Sequence, residues 1–123
     1  MLTSLPAMLI VMIAFATSGL LVAGLAIPLL QGRIPPNRFY GFRTPATLRE
    51  EWLWYAANRA SAKLLLAWGL SCAVVAVGTY FLPEISESIY LGINLGAVAG
   101  GALVVILFSF RTLFKLQQKG KGR

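Results

Sequence analysis

The sequence predicts an all-α integral membrane protein. It has three transmembrane helices and, between the first two, a cytoplasmic loop with a short helix that either lies at the interface or continues into the second span. Three observations predict this class. The 123 residues are 58% hydrophobic and 12% charged, whereas a soluble domain carries about a quarter charged residues, so the chain lacks the polar surface to coat itself in water. Three apolar stretches, about 5–30, 64–82 and 89–110, are each long enough to cross a bilayer, which needs about 20 helical residues. The basic residues are sorted into two blocks that flank these stretches, the pattern of membrane topology rather than of a nucleic-acid-binding surface.

None of the three stretches contains Asp, Glu, Lys or Arg. Backbone groups in lipid must be paired internally, so the stretches are helices and not strands. The first lacks a basic leader and exceeds the roughly 7–15 apolar residues of a secretory signal, and so reads as a span. Pro28, near its inner end, is expected to end or kink it. Pro83 marks the stop after the second span, and a turn of about six residues makes the second and third spans a tight antiparallel hairpin.

Six basic residues (Arg33, Arg38, Arg43, Arg49, Arg59 and Lys63) lie in the first connection, and five (Arg111, Lys115, Lys119, Lys121 and Arg123) in the tail, which accounts for all eleven. The opposite side carries none. The positive-inside rule therefore places the N-terminus out and the long loop and C-terminus in the cytoplasm. The organisation is one membrane domain over 1–115 and a basic tail over 116–123. The tail reads as an orientation signal facing lipid.

The third span has Gly92, Gly96 and Gly100 at four-residue spacing, a pattern that lets helices approach closely in lipid. They are assigned to helix packing, within the chain or in a homo-oligomer. The first span offers Gly19 and Ala23, and the second Gly69 and Ala73, at the same spacing. Asn94 reads as interhelical glue.

The informative segment is 31–63. Pro35 and Pro36 stiffen the exit from the first helix. Asn37 to Gly41 reads as a turn, with Gly41 free to take positive φ. Arg43-Thr44-Pro45 is a second turn. Phe39, Tyr40 and Phe42 suit the headgroup boundary. Thr47 and Glu50 fit a capping box, so a helix is expected from about Leu48. On it Leu48, Trp52, Tyr55, Ala56 and Ala60 share one face, while Trp54, Asn58 and Ser61 share another. Arg38, Arg43 and Arg59 could gather around one anionic group, since guanidinium forks suit phosphate and carboxylate. Alternatively they set topology and contact lipid headgroups, or pair with Glu50 or Glu51. With one cysteine and no histidine, the chain has no internal disulfide and no metal site of the Cys/His type. No cofactor is expected.

The string Asn37-Arg38-x-x-Gly41-x-Arg43-Thr44-Pro45-x-Thr47, followed by Trp54-x-x-x-Asn58-Arg59, resembles the signature loop of the SdpI family, named for an immunity protein against a sporulation-delaying toxin of bacilli. The resemblance covers about 34–63 in detail and the flanking spans more loosely. It implies a multi-span bacterial inner-membrane protein without known enzymatic chemistry. In the founding member, which is longer, it implies toxin protection and sequestration of a repressor. One departure is Asn58, where many relatives are expected to carry histidine.

The resulting expectation is a non-enzymatic membrane protein whose loop (Asn37, Arg38, Gly41, Arg43, Thr44, Pro45, Thr47, Trp54, Asn58 and Arg59) binds a partner or an anionic headgroup. The partners in view are membrane lipids, a peptide toxin or cytoplasmic regulator, and a second copy of the chain, but not nucleic acid. Two alternatives stay open: a small transporter or channel subunit working as an oligomer, and lipid-modifying chemistry through Glu50 and Arg43.

Overall fold

The computed structural model describes residues 4–121, which form four helices and, among those residues, no strand: α1 (Ser4–Leu30), α2 (Pro45–Arg49), α3 (Glu51–Tyr80) and α4 (Glu87–Lys121). Three of them, α1, α3 and α4, are long and apolar enough to cross a membrane. Arg123, the last residue of the basic tail, lies outside the described residues.

α1 runs past Pro28 to Leu30 and is closed by a Schellman motif rather than by the proline. Gly32 takes φ +71, its N–H donates to Leu29 O at 3.2 Å, and Arg33 N–H donates to Pro28 O at 3.0 Å. Those bonds pair two carbonyls that the helix end would otherwise leave open.

α3 is the central element. α1 lies against it through two glycines that face each other. A Cβ on Gly19 would sit 2.5 Å from Gly69 O, and one on Gly69 would sit 2.5 Å from Gly19 O, so the backbones touch. Small residues let van der Waals contact replace the hydrophobic driving force that lipid does not supply. α4 packs mainly on α3, and the turn between them spans 81–86. The Ser86 hydroxyl accepts the Ile89 N–H at 3.2 Å, capping the start of α4.

Two polar ties hold the α3–α4 hairpin. Near the turn, Tyr90 OH donates to Ala76 O (2.9 Å) and Asn94 Nδ2 donates to Thr79 Oγ1 (3.1 Å), so Asn94 is interhelical glue. Toward the loop end, Ser61 Oγ and Ser109 Oγ lie 2.8 Å apart, both buried.

The glycine stripe on α4 does not pack within the chain. A Cβ on Gly92, Gly96 or Gly100 would meet nothing within 4 Å. The reason is rotational: Gly101, one position further on, is the residue turned toward α3, where the Trp68 ring fills the place of a side chain. The three expected packing glycines are left on an open face.

α3 and α4, 30 and 35 residues long, rise about 1.5 Å per residue and so overshoot a hydrocarbon core of about 30 Å. The overshoot is on the loop side. There Leu53 and Ala57 of α3 form a buried cluster with Leu113 of α4, flanked by Phe42, Ala46 and Leu116. A Cβ on Gly120 would meet the Trp52 ring at 2.8 Å. The basic tail is therefore a helical continuation of α4 docked on α3 as far as the described residues go.

Candidate functional site

The loop between α1 and α3 is held by its own polar side chains. Asn37 closes the first turn: its Oδ1 accepts the N–H groups of Phe39 and Tyr40 (2.9 and 2.8 Å), and its Nδ2 donates to Pro35 O and Tyr40 O. This is an Asx turn, in which a carboxamide substitutes for backbone partners. Tyr40 then reaches back to the apolar cluster of Ala26, Leu29 and Ala62. Its hydroxyl is buried with no partner among the described residues, and burial pushes its pKa up.

Gly41 adopts φ +117. A Cβ there would come within 2.8 Å of Asn58 Oδ1 and 2.9 Å of the Trp54 ring, so both the conformation and the space demand glycine. Asn58 itself is 2% exposed. Its Oδ1 accepts Phe42 N–H at 2.6 Å and its Nδ2 donates to Trp54 O at 2.9 Å. Trp54, fully buried, donates from Nε1 to Ile34 O at 2.8 Å. Together these two side chains fasten the loop to α3 from both ends.

The helix start differs from the expected capping box. Thr44, not Thr47, is the N-cap: Thr47 N–H donates to Thr44 Oγ1 (3.1 Å) and Thr44 N–H donates to Thr47 Oγ1 (2.8 Å). Pro45 explains the shift. It forces the preceding residue out of the helical region, and Thr44 sits at φ −129, ψ 165, while Pro45 is suited to the first helical position. Glu50, at φ −121 and ψ 115, separates α2 from α3. α3 then continues as one unbroken helix through Ser61 and Lys63 into the second span. The buried face of its overshoot is the one with Trp54, Asn58 and Ser61, together with Leu53 and Ala57, whereas Leu48 and Trp52 are exposed.

The arginines are placed differently from one another. Arg59 Nε donates to Leu30 O at 3.2 Å and so buttresses the end of α1. Arg38 and Arg43 are exposed. Among the described residues neither Glu50 nor Glu51 pairs with them, and Glu50 instead accepts the Trp52 indole N–H at 2.6 Å. Phe39 is 89% exposed. Phe42 turns inward, edge-on to Phe110 with ring centroids 5.2 Å apart.

Behind Phe42 and Arg43 the loop, α3 and α4 line an open cleft of about 440 Å³, with Leu65, Val105 and Ile106 and the bonded Ser61–Ser109 pair among its lining residues. Sequence reasoning grouped Ser61 with Trp54 and Asn58 but passed over Ser109, Phe110, Val105 and Ile106. The available signal was slight: Ser109 is a lone hydroxyl in an apolar run, and 48 residues separate it from its partner.

Three membrane-length helices and a loop locked to the central one by tryptophan and asparagine, and braced internally by threonine, define a small polytopic membrane protein with a pre-formed polar loop. The sequence model of the SdpI/YfhL protein family matches residues 33–111, more than half of the chain, and the protein belongs to that family. No curated protein and no solved structure matches it.

Proposed function

We propose that this protein is a non-catalytic SdpI-family module of the bacterial inner membrane, with its N-terminus outside and its loop in the cytoplasm, and that the loop is a rigid recognition surface for an anionic group. One observation carries the reading. Asn37, Gly41, Thr44, Pro45, Thr47, Trp54 and Asn58 face inward or build turns, and the hydrogen-bonding side chains among them are committed to the frame. Arg38, Phe39 and Arg43 are exposed on the frame, whereas Arg59, also exposed, spends its Nε on Leu30 O. A preorganised frame reduces the ordering cost of binding, and exposed guanidinium groups suit phosphate or carboxylate.

The topology is supported by the bundle, because the ends of α1, α3 and α4 that meet near the loop are the ends that carry the basic residues. The non-catalytic reading is supported by the position of the acids: neither Glu50 nor Glu51 lines the cleft, and Glu50 bonds Trp52.

The test is photocrosslinking in cells from a reactive residue at Phe39, which is far more exposed than Phe42. The expected result is capture of one species that is lost in the double variant Arg38→Gln, Arg43→Gln, while membrane insertion is unchanged and Glu50→Gln has no effect. Capture indifferent to both arginines would overturn the reading.

A further inference from the structure

The cleft behind Arg43 spans two environments. Its upper edge is the loop, where Arg43 is exposed, and its lower walls are Leu65 of α3 and Val105 and Ile106 of α4, within the apolar parts of two helices long enough to cross a membrane. Ile106 is 53% exposed, so the lower part opens sideways toward the acyl region. Between the loop and these apolar walls, the Ser61 and Ser109 hydroxyls bond each other. That bond uses one of their two hydrogens, and no other hydrogen bond of either hydroxyl is present among the described residues, so one donor is left over. The volume of about 440 Å³ falls in the range of small-molecule pockets, about 300–1,000 Å³.

A cation at the headgroup level, a hydroxyl donor below it and an apolar wall below that follow the order of groups in one class of molecule. We propose that the cleft is a site for one anionic phospholipid from the surrounding leaflet. Its phosphate pairs with Arg43, an ester carbonyl accepts from the serine pair, and one acyl chain lies over Leu65 and Ile106. Basic pockets between helices at the membrane face are a recognised way to hold anionic headgroups. The site rests on the reading of the loop as an anion-recognising surface and names the anion that Arg43 takes. Arg38 lies outside the cleft and remains available to another partner.

The experiment is native mass spectrometry of the full-length protein in detergent, titrated with dioleoylphosphatidylglycerol or dioleoylphosphatidylcholine. The expected result is one phosphatidylglycerol per chain, bound in preference to phosphatidylcholine. Arg43→Gln lowers that binding by about fivefold, the ratio that one basic residue contributes near an anionic surface. Ile106→Trp, a change at an exposed position that narrows the cleft and keeps every charge, also lowers it. Lys63→Gln, which removes one charge from outside the cleft, leaves it unchanged. Equal binding of both lipids, or equal loss in Arg43→Gln and Lys63→Gln, would overturn the site, as would a photoreactive residue at Ile106 that captures a polypeptide instead of lipid. If phosphatidylglycerol fails while arginine-dependent capture from Phe39 persists, only the lipid site falls. If both fail, the anion-recognising loop falls with it.

Discussion

The Asn58 carboxamide oxygen accepts the Phe42 N–H at 2.6 Å across sixteen residues, while its Nδ2 donates to Trp54 O in the preceding turn of α3. One side chain thus fixes the second half of the loop to the central helix, and it does so from a position that is 2% exposed. Asn58→Leu is expected to leave Phe42 N–H buried and unpaired, at a cost of about 1–3 kcal/mol. The check is thermal unfolding in detergent together with limited proteolysis between Asn37 and Thr44. Faster cleavage should appear there before any loss of helix. An unchanged melting temperature and cleavage rate would show that the loop is held by other means.

Gly41→Ala should be among the most damaging single-methyl additions in the loop. The added Cβ meets Asn58 Oδ1 at 2.8 Å, and the backbone at φ +117 is one that alanine adopts only with strain, together about 1–3 kcal/mol. The same methods apply. The change should mimic Asn58→Leu, and combining the two should give less than the sum, because both act on one contact.

Gly69 and Gly96 separate two meanings of glycine in a membrane helix. Gly69→Leu cannot be accommodated against the Gly19 backbone and should force α1 from α3, costing about 1–3 kcal/mol through overpacking. Gly96→Leu meets open space and should leave monomer stability unchanged. Cysteine crosslinking across α1 and α3 reads the first effect. Size-exclusion light scattering of Gly96→Leu shows whether the open face supports a second copy of the chain.

Tyr40→Phe should be neutral or stabilising at neutral pH, since the hydroxyl it removes is buried without a partner among the described residues. Burial raises the Tyr40 pKa above the ordinary tyrosine value of about 10. Its contribution to loop docking is therefore fully present below pH 10 and declines as pH rises through the raised value, where folding must bury a phenolate. Stability profiles of the two proteins from pH 8 to pH 12 should diverge only above about pH 10, with the phenylalanine variant losing less. Parallel profiles would remove Tyr40 from the alkaline response.

How much of this was legible beforehand depended on the range of the interaction. Thr44, Pro45 and Thr47 read from sequence as turn and cap residues, and the structure sets the cap three residues earlier than the sequence suggests, at Thr44. By residue type Thr47–Glu50 matches a capping box better than Thr44–Thr47 does, and the constraint that Pro45 places on Thr44 overrides that match. Periodicity alone puts Trp54, Asn58 and Ser61 on one helical face, and all three are buried. That this face is buried, and Leu48 and Trp52 exposed, depends on where the loop folds back, which periodicity does not encode.

By itself, the sequence determined the three membrane helices, the placement of the basic residues at one end of the bundle and the family signature. Each follows from local composition: apolar length must match the bilayer, charge cannot cross it, and the signature is a contiguous string. Only the tertiary structure decided that Gly19 and Gly69 make the close approach while Gly92, Gly96 and Gly100 lie open. Likewise, only the fold showed that most of the signature's hydrogen-bonding side chains bond within the loop and to α3, and that Ser61 and Ser109 meet in the lining of a cleft. Those outcomes depend on the rotation of each helix about its axis and on contacts between residues far apart in the chain, such as Gly19 with Gly69 and Ser61 with Ser109. A helix with apolar residues on every side carries no amphipathic stripe to announce that rotation in advance.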